Sequence, residues 1–178
     1  MMKVRSTNLA ETASNGILVG IAGGLAEIIW IALYGALSGS DTTVVARAIS
    51  TTVGWIVPGG SLIAGSIGYG IAIHMIAAIG LGVALAFLWR GLAAHRPAAI
   101  DEYAFLVGAL TIVWLVNFFV VLPLMSPAFA DLHYAFREIV PYHVSLASKL
   151  LFGLAGAFVL RNGASSQSAQ ISLPVHAG

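Results

Sequence analysis

Glu27, His74, Asn117 and Lys149 are the residues whose chemistry stands out most from their surroundings in this chain of 178 residues. Each lies within a long apolar run, spanning residues 16–37, 66–89, 103–124 and 142–160 in turn. A carboxylate, an imidazole and an ammonium at similar depth inside a membrane resemble the parts of a proton relay. A charged side chain at a bilayer centre costs ~2.5–3.5 kcal/mol even on the mildest insertion scale, so each is expected to turn inward and find a partner. Counted from the span centres at ~1.5 Å per residue, all four fall within a layer of roughly 5 Å.

The spacing of the small residues indicates which faces carry them. Gly16, Gly20 and Gly24 recur every fourth residue, and Glu27 continues that stripe. Ser145, Lys149, Gly153 and Ala157 form a matching stripe, and Gly70, His74, Ala77 and Ala78 share a third face. Stripes of small residues let helices approach closely in lipid. A Glu27–Lys149 pair is therefore expected on adjacent helices. Its plainest role is to fix register and partner choice, with His74 and Asn117 hydrogen-bonding neighbouring helices. Two sharper roles compete with that one. The first is a proton or solute path, for which four helices leave little room unless the glycine stripe builds an oligomer. The second is haem b held by His74 and His143, although their depths differ by roughly 8 Å in straight helices. His133 and His143, with Asp131 and Glu138, also offer imidazole and oxygen ligands for a divalent metal. No phosphate loop, H-E-x-x-H pair or nucleophile elbow is present in the sequence, which favours a non-catalytic protein.

Composition dictates the elements that position these residues. Hydrophobic residues make up 59% of the chain and charged residues 8%, against roughly 25% charged in a soluble domain. So few charges cannot coat a globule in water, and eight Lys and Arg make no nucleic-acid footprint. The absence of cysteine removes disulfides and thiolate chemistry. Each apolar run has the ~20 residues that a spanning helix needs, and none alternates as a barrel strand would. The expected fold is all-α: an integral membrane four-helix bundle with two amphipathic outer-face segments. The domain organisation is a cytoplasmic segment at 1–15, one four-span domain at 16–161 and a flexible cytoplasmic tail at 162–178. A polar stretch separates Lys3 and Arg5 from the first apolar run, so that run reads as a retained helix rather than a cleaved signal.

Loop charges set the orientation. Lys3, Arg5, Arg90, Arg96 and Arg161 fall on one side and only Arg47 and Arg137 on the other. Five against two places both termini in the cytoplasm. In the first outer loop, Asp41-Thr42-Thr43 is suited to cap a short helix bearing Val44, Val45, Ala48 and Ile49. In the second, Phe129, Leu132, Phe136 and Ile139 recur at helical spacing. Both segments are expected to lie on the membrane surface, ahead of the alternative of a lid over a cavity or a docking surface for a partner.

The chain from about His74 to Leu160 resembles the YagU-like group of small bacterial inner-membrane proteins. The likeness rests on His74 in the second span, the short inner hairpin, Pro123-Leu124-Met125, Pro127, Phe129, Asp131-Leu132 and His143. It implies a bacterial inner-membrane location and topology, and no particular chemistry. Lys149 departs from that pattern, and Glu27 has no counterpart in it. The leading expectation is a multi-pass membrane protein that self-associates or serves as an accessory subunit of a larger membrane complex. A small transporter or proton-relay protein using Glu27, His74 and Lys149 is the alternative, and a haem-binding electron-transfer subunit the second alternative.

Overall fold

A computed structural model of the protein describes residues 9–93, 101–125 and 138–171. The described chain is helical throughout, and four helices are long and apolar enough to cross a membrane. Helix α1 (Leu9–Ser38) leads through a turn to α2 (Thr43–Ile56) and a short 3-10 turn at Gly60–Leu62. Helix α3 (Ile67–Ala93) returns, followed by α4 (Glu102–Val116), a π-helical turn (Asn117–Val121), α5 (Leu122–Met125) and α6 (Tyr142–Ile171). Side chains such as Ile29, Leu33, Leu37, Ile76, Ile112, Phe119 and Phe158 are exposed around the periphery. In water such a surface would be an aggregation hazard, whereas against lipid tails it costs nothing.

Helix α1 occupies the centre of the arrangement. Its buried positions Thr12, Gly16, Val19, Gly20, Gly23, Gly24 and Glu27, with Gly35 farther on, recur at helical spacing, and five of the eight are glycine. With so little side chain, the backbones of α1 and α3 come almost into contact. A Cβ added at Gly16 would lie 2.5 Å from the Cα of Val83, and one at Gly20 would strike the backbone at Ala78 and Ile79. Gly82 returns the contact against Gly16 and Gly20. On its other flank α1 meets α6, where Gly23 accommodates the ring of Phe152 and Gly156 accommodates Val19. Gly153 brings α6 against Val107 and Leu110 of α4. The order across the bundle is therefore α3, α1, α6, α4. At the end of the bundle away from α2, α3 and α4 are joined by the Trp89 and Phe105 rings, whose centroids are 5.0 Å apart.

This packing divides the bundle into two levels. In the half away from α2, Val19, Leu85, Leu106, Leu110, Phe152 and Ala157 make a sealed apolar core. In the α2-side half, Trp114, Phe118 and Leu122 cluster with Leu146.

The structure adds detail to three expectations. Helix α1 starts at Leu9 rather than near residue 16, because the preceding stretch contains no helix breaker and buries Thr12. Helix α6 runs to Ile171, so the first ten residues of the expected flexible tail are helical. The first outer segment is helix α2, amphipathic as expected. Helix α2 packs on α3, with Gly70 directly beneath the Ala46 backbone and Ala48, Ser50 and Thr52 buried. The second outer segment, with Phe129, Leu132, His133 and Phe136, lies outside the described residues.

Two glycines of α3 provide an internal contrast. A Cβ at Gly82 meets the α1 backbone, while one at Gly80 meets nothing within 4 Å. Gly82→Ala is expected to lower stability by about 1–3 kcal/mol through overpacking, with Gly80→Ala neutral or slightly stabilising. Thermal unfolding of the purified protein in detergent checks the difference; equal effects would contradict the close α1–α3 approach.

Candidate functional site

Glu27 lies on α1 just above the sealed core and is 4% exposed. An isolated carboxylate there would face a large desolvation cost, and the structure surrounds it with donors. Lys149 on α6 places Nζ 2.6 Å from Glu27 Oε1. Ser148 donates its hydroxyl toward the same oxygen at 3.3 Å and toward the Ser145 carbonyl at 2.8 Å. His74 on α3 places Nε2 3.7 Å from Glu27 Oε2, at ion-pair distance but beyond a hydrogen bond. That Nε2 atom is buried without a hydrogen-bond partner. The three ionisable groups come from three helices, and α1 supplies the shared anion.

The site forms the floor of a cavity of about 230 Å³. Ile28, Ile31, Val45, Ile49 and Ile71 furnish apolar walls, and Thr42 and Thr43 line its end at the α1–α2 turn. Asn117 and Ser145 complete its polar lining with Glu27, His74, Ser148 and Lys149. Asn117 opens the π-helical turn, in which the Leu122 N–H bonds back to the Asn117 carbonyl. A π turn shifts the register of the side chains that follow it and is frequent at functional sites. The lining side chains are unequally presented: Glu27 is 5% exposed, Lys149 21% and His74 26%.

Helix α2 is fixed over this cavity from its first turn. Asp41 accepts from the Thr43 backbone N–H at 3.1 Å and from the Thr43 hydroxyl, and it pairs with Arg47 Nη2 at 2.7 Å. The hydrogen bond from the Thr43 side chain, followed by the one from Arg47, holds the Asp41 carboxyl below its ordinary value. On the opposite flank, Trp30 Nε1 donates to the Val144 carbonyl at 2.9 Å and Trp114 Nε1 donates to Ser145 Oγ at 3.3 Å. These bonds tie α1 and α4 to the start of α6.

Of the residues singled out in the sequence, Glu27, His74 and Lys149 meet directly, and Asn117 joins them at the cavity wall. Gly16, Gly20, Gly24, Ser145 and Gly153 serve contacts within the chain. The glycine face expected to seat a second copy is covered by α3. His143 is exposed at the start of α6 and, unlike His74, does not line the cavity. No group of three or more metal-ligating side chains occurs among the described residues, and His133 lies outside them. Ser148, Trp30 and the π turn escaped the sequence reading. Ser148 precedes Lys149 by one residue, off the small-residue stripe, and no periodicity marks it. No protein-family model, curated protein or solved structure matches the chain, so the site is interpreted from its own geometry.

Removing one member of a buried pair strands the other charge. Lys149→Met is expected to cost about 3–5 kcal/mol, whereas Glu27→Gln combined with Lys149→Met should cost much less. A double-mutant cycle on thermal or denaturant unfolding measures this coupling, and additive effects would contradict it. At the start of α2, the Asp41 carboxyl, held below its ordinary value, stabilises the fold above the unfolded Asp value of ~3.9 and loses that contribution as pH falls through the folded value. Protection factors at the α2 amides, exchange rates corrected for the intrinsic pH dependence, should fall on acidification in that range, and Asp41→Asn should abolish the acid-dependent step.

Proposed function

We propose that this protein is a small integral membrane protein of the transporter or proton-relay class. In this reading Glu27, His74 and Lys149 hold and pass protons at the floor of the α2-side cavity. The observation that carries it is the open flank of the buried cluster: Lys149 and His74 are partly exposed to the cavity while Glu27 is enclosed. An ion pair that only locks helix register has no need of a cavity at its side.

The chemistry follows from the atoms in reach. With its proton on Nδ1, neutral His74 offers Nε2 as an acceptor. Once protonated, that nitrogen faces Glu27 Oε2 from 3.7 Å, and a shift of under about 1 Å brings it to hydrogen-bond distance. Passing the proton from Nε2 to Oε2 leaves a neutral imidazole, a neutral carboxyl and the Lys149 ammonium. Lys149 and Ser148 hold the carboxyl group in place through both states. Val19, Leu106, Leu110 and Phe152 close the other half of the bundle, so passage across it requires a second arrangement in which that core parts.

The setting we propose is a bacterial cytoplasmic membrane with both termini inside. The excess of Lys and Arg on the terminal side supports it, and it makes the α2-side cavity face outward. Self-association or assembly with other subunits, where it occurs, would use faces other than the α1 glycine stripe.

Proteoliposomes with a trapped pH dye provide the test. The wild-type protein should speed relaxation of an imposed pH gradient. His74→Leu should slow it by about tenfold or more, an effect in the range of a lost general acid–base group. The same loss is expected for Glu27→Gln with Lys149→Met, a variant that keeps the helices paired without charge. Relaxation no faster than in empty vesicles would overturn the reading.

A further inference from the structure

We infer that the α2-side cavity binds a small organic monocarboxylate with a short apolar tail, its carboxylate held by Lys149, His74 and Asn117. The inference names the substrate class for the relay reading above and rests on it. Glu27 turns its acceptor capacity toward the protein: Oε1 takes Lys149 and Ser148, and Oε2 faces His74. What remains for an occupant is a surface of donors. The Lys149 ammonium has three N–H bonds, of which the Glu27 contact uses one. His74 Nε2 is buried and unpartnered, and the Asn117 carboxamide makes no hydrogen bond to any described residue. An ammonium ligand entering here would meet the Lys149 cation before it could reach the enclosed Glu27.

The charge balance selects the same class. Among the described residues, Glu27, His74 and Lys149 are the only ionisable side chains lining the cavity. With His74 neutral, the Glu27–Lys149 pair sums to zero, and an arriving anion would leave an uncompensated negative charge in an apolar site. With His74 protonated, the cluster is positive by one charge and the anion neutralises it. A carboxylate and a proton are therefore taken up together. The size of the occupant follows from the cavity volume of about 230 Å³, roughly the liquid volume of eight waters at ~30 Å³ each. A straight-chain acid of about that many heavy atoms fits, with its tail against Ile28, Ile31, Val45, Ile49 and Ile71.

The test uses the full chain in phosphatidylcholine nanodiscs, titrated calorimetrically at mildly acidic pH with hexanoate, hexanol and hexylamine, with empty nanodiscs as reference. Hexanoate should bind saturably, hexanol about tenfold or more weaker, and hexylamine weaker still. Ile71→Trp, which fills the cavity from α3, should abolish hexanoate binding. Glu27→Gln with Lys149→Met should weaken it about tenfold or more while leaving thermal unfolding cooperative. Hexylamine binding as tightly as hexanoate, or hexanoate binding untouched by either variant, would overturn the assignment. Loss of hexanoate binding when phosphatidylglycerol replaces phosphatidylcholine would also overturn it, in favour of a lipid headgroup as occupant. If hexanoate fails to bind while His74-dependent proton flux persists, the substrate class is wrong and the relay stands. If both fail, the relay falls with it.

Discussion

A carboxylate that is almost wholly enclosed between helices constrains everything around it. Glu27 must either be neutralised or be met by a cation, because an unpaired charge in an apolar interior costs more than most folds can tolerate. The cation comes from α6, and a separation of 2.6 Å requires α1 and α6 to lie close at that level. Gly23 and Gly156 permit this, receiving Phe152 and Val19 where a larger side chain would hold the helices apart. Ser148 then supplies the second donor that one ammonium contact leaves wanting. The position of α1 at the centre of the bundle thus follows from the need to surround its one buried charge.

The same helix must also touch α3, and here the glycines perform a different task. In lipid no hydrophobic force drives helices together, so contact depends on backbone proximity and van der Waals fit. Gly16 and Gly20 against Gly82 and Val83 provide that fit in one half of the bundle. Farther along α1, Gly24 faces Ala78 and Met75, and beyond it His74 arrives beside Glu27. Past Glu27 the glycine stripe ends and α1 presents Ile28, Ile31 and Ala32. Helix α2 then roofs the space between α1 and α3 instead of filling it. The cavity begins where the glycines end.

Much of this was legible in the sequence. Four spans follow from length and hydropathy, and three of the four site residues are ionisable side chains in places where such groups are costly. Their shared depth and their small-residue faces both lie in the spacing of 16, 20, 24 and 27 and of 145, 149 and 153. Periodicity identifies a face but not what covers it. Hence the glycine stripe pointed as well to a second copy as to α3. Helix ends were less legible, since Ala, Ser, Thr and Gln beside a span read as tail or as helix according to packing that no local pattern records. The π turn at Asn117 was invisible too, because residues 117–121 are as apolar as any span and carry no local break. The role of α2 turned on one residue, Gly70, whose missing side chain lets Ala46 settle on α3.

The unequal exposure of the paired charges bears most directly on what the site is for. An ion pair retained only to fix helix register is best served by complete enclosure, because every partial contact with solvent weakens the attraction that offsets desolvation. Here the anion is enclosed and its partners are not: Lys149 and His74 each leave about a quarter of their side chains exposed, and both line a space with apolar walls. A dry apolar cavity is tolerable in a folded protein, and a wet polar one can be filled by waters with partners to spare. A cavity that is apolar on its walls and donor-rich on its floor suits neither case well. The occupant we propose, an amphipathic molecule with an acceptor at one end, complements both surfaces, and the proton proposed to accompany it would find His74 Nε2 beside Glu27.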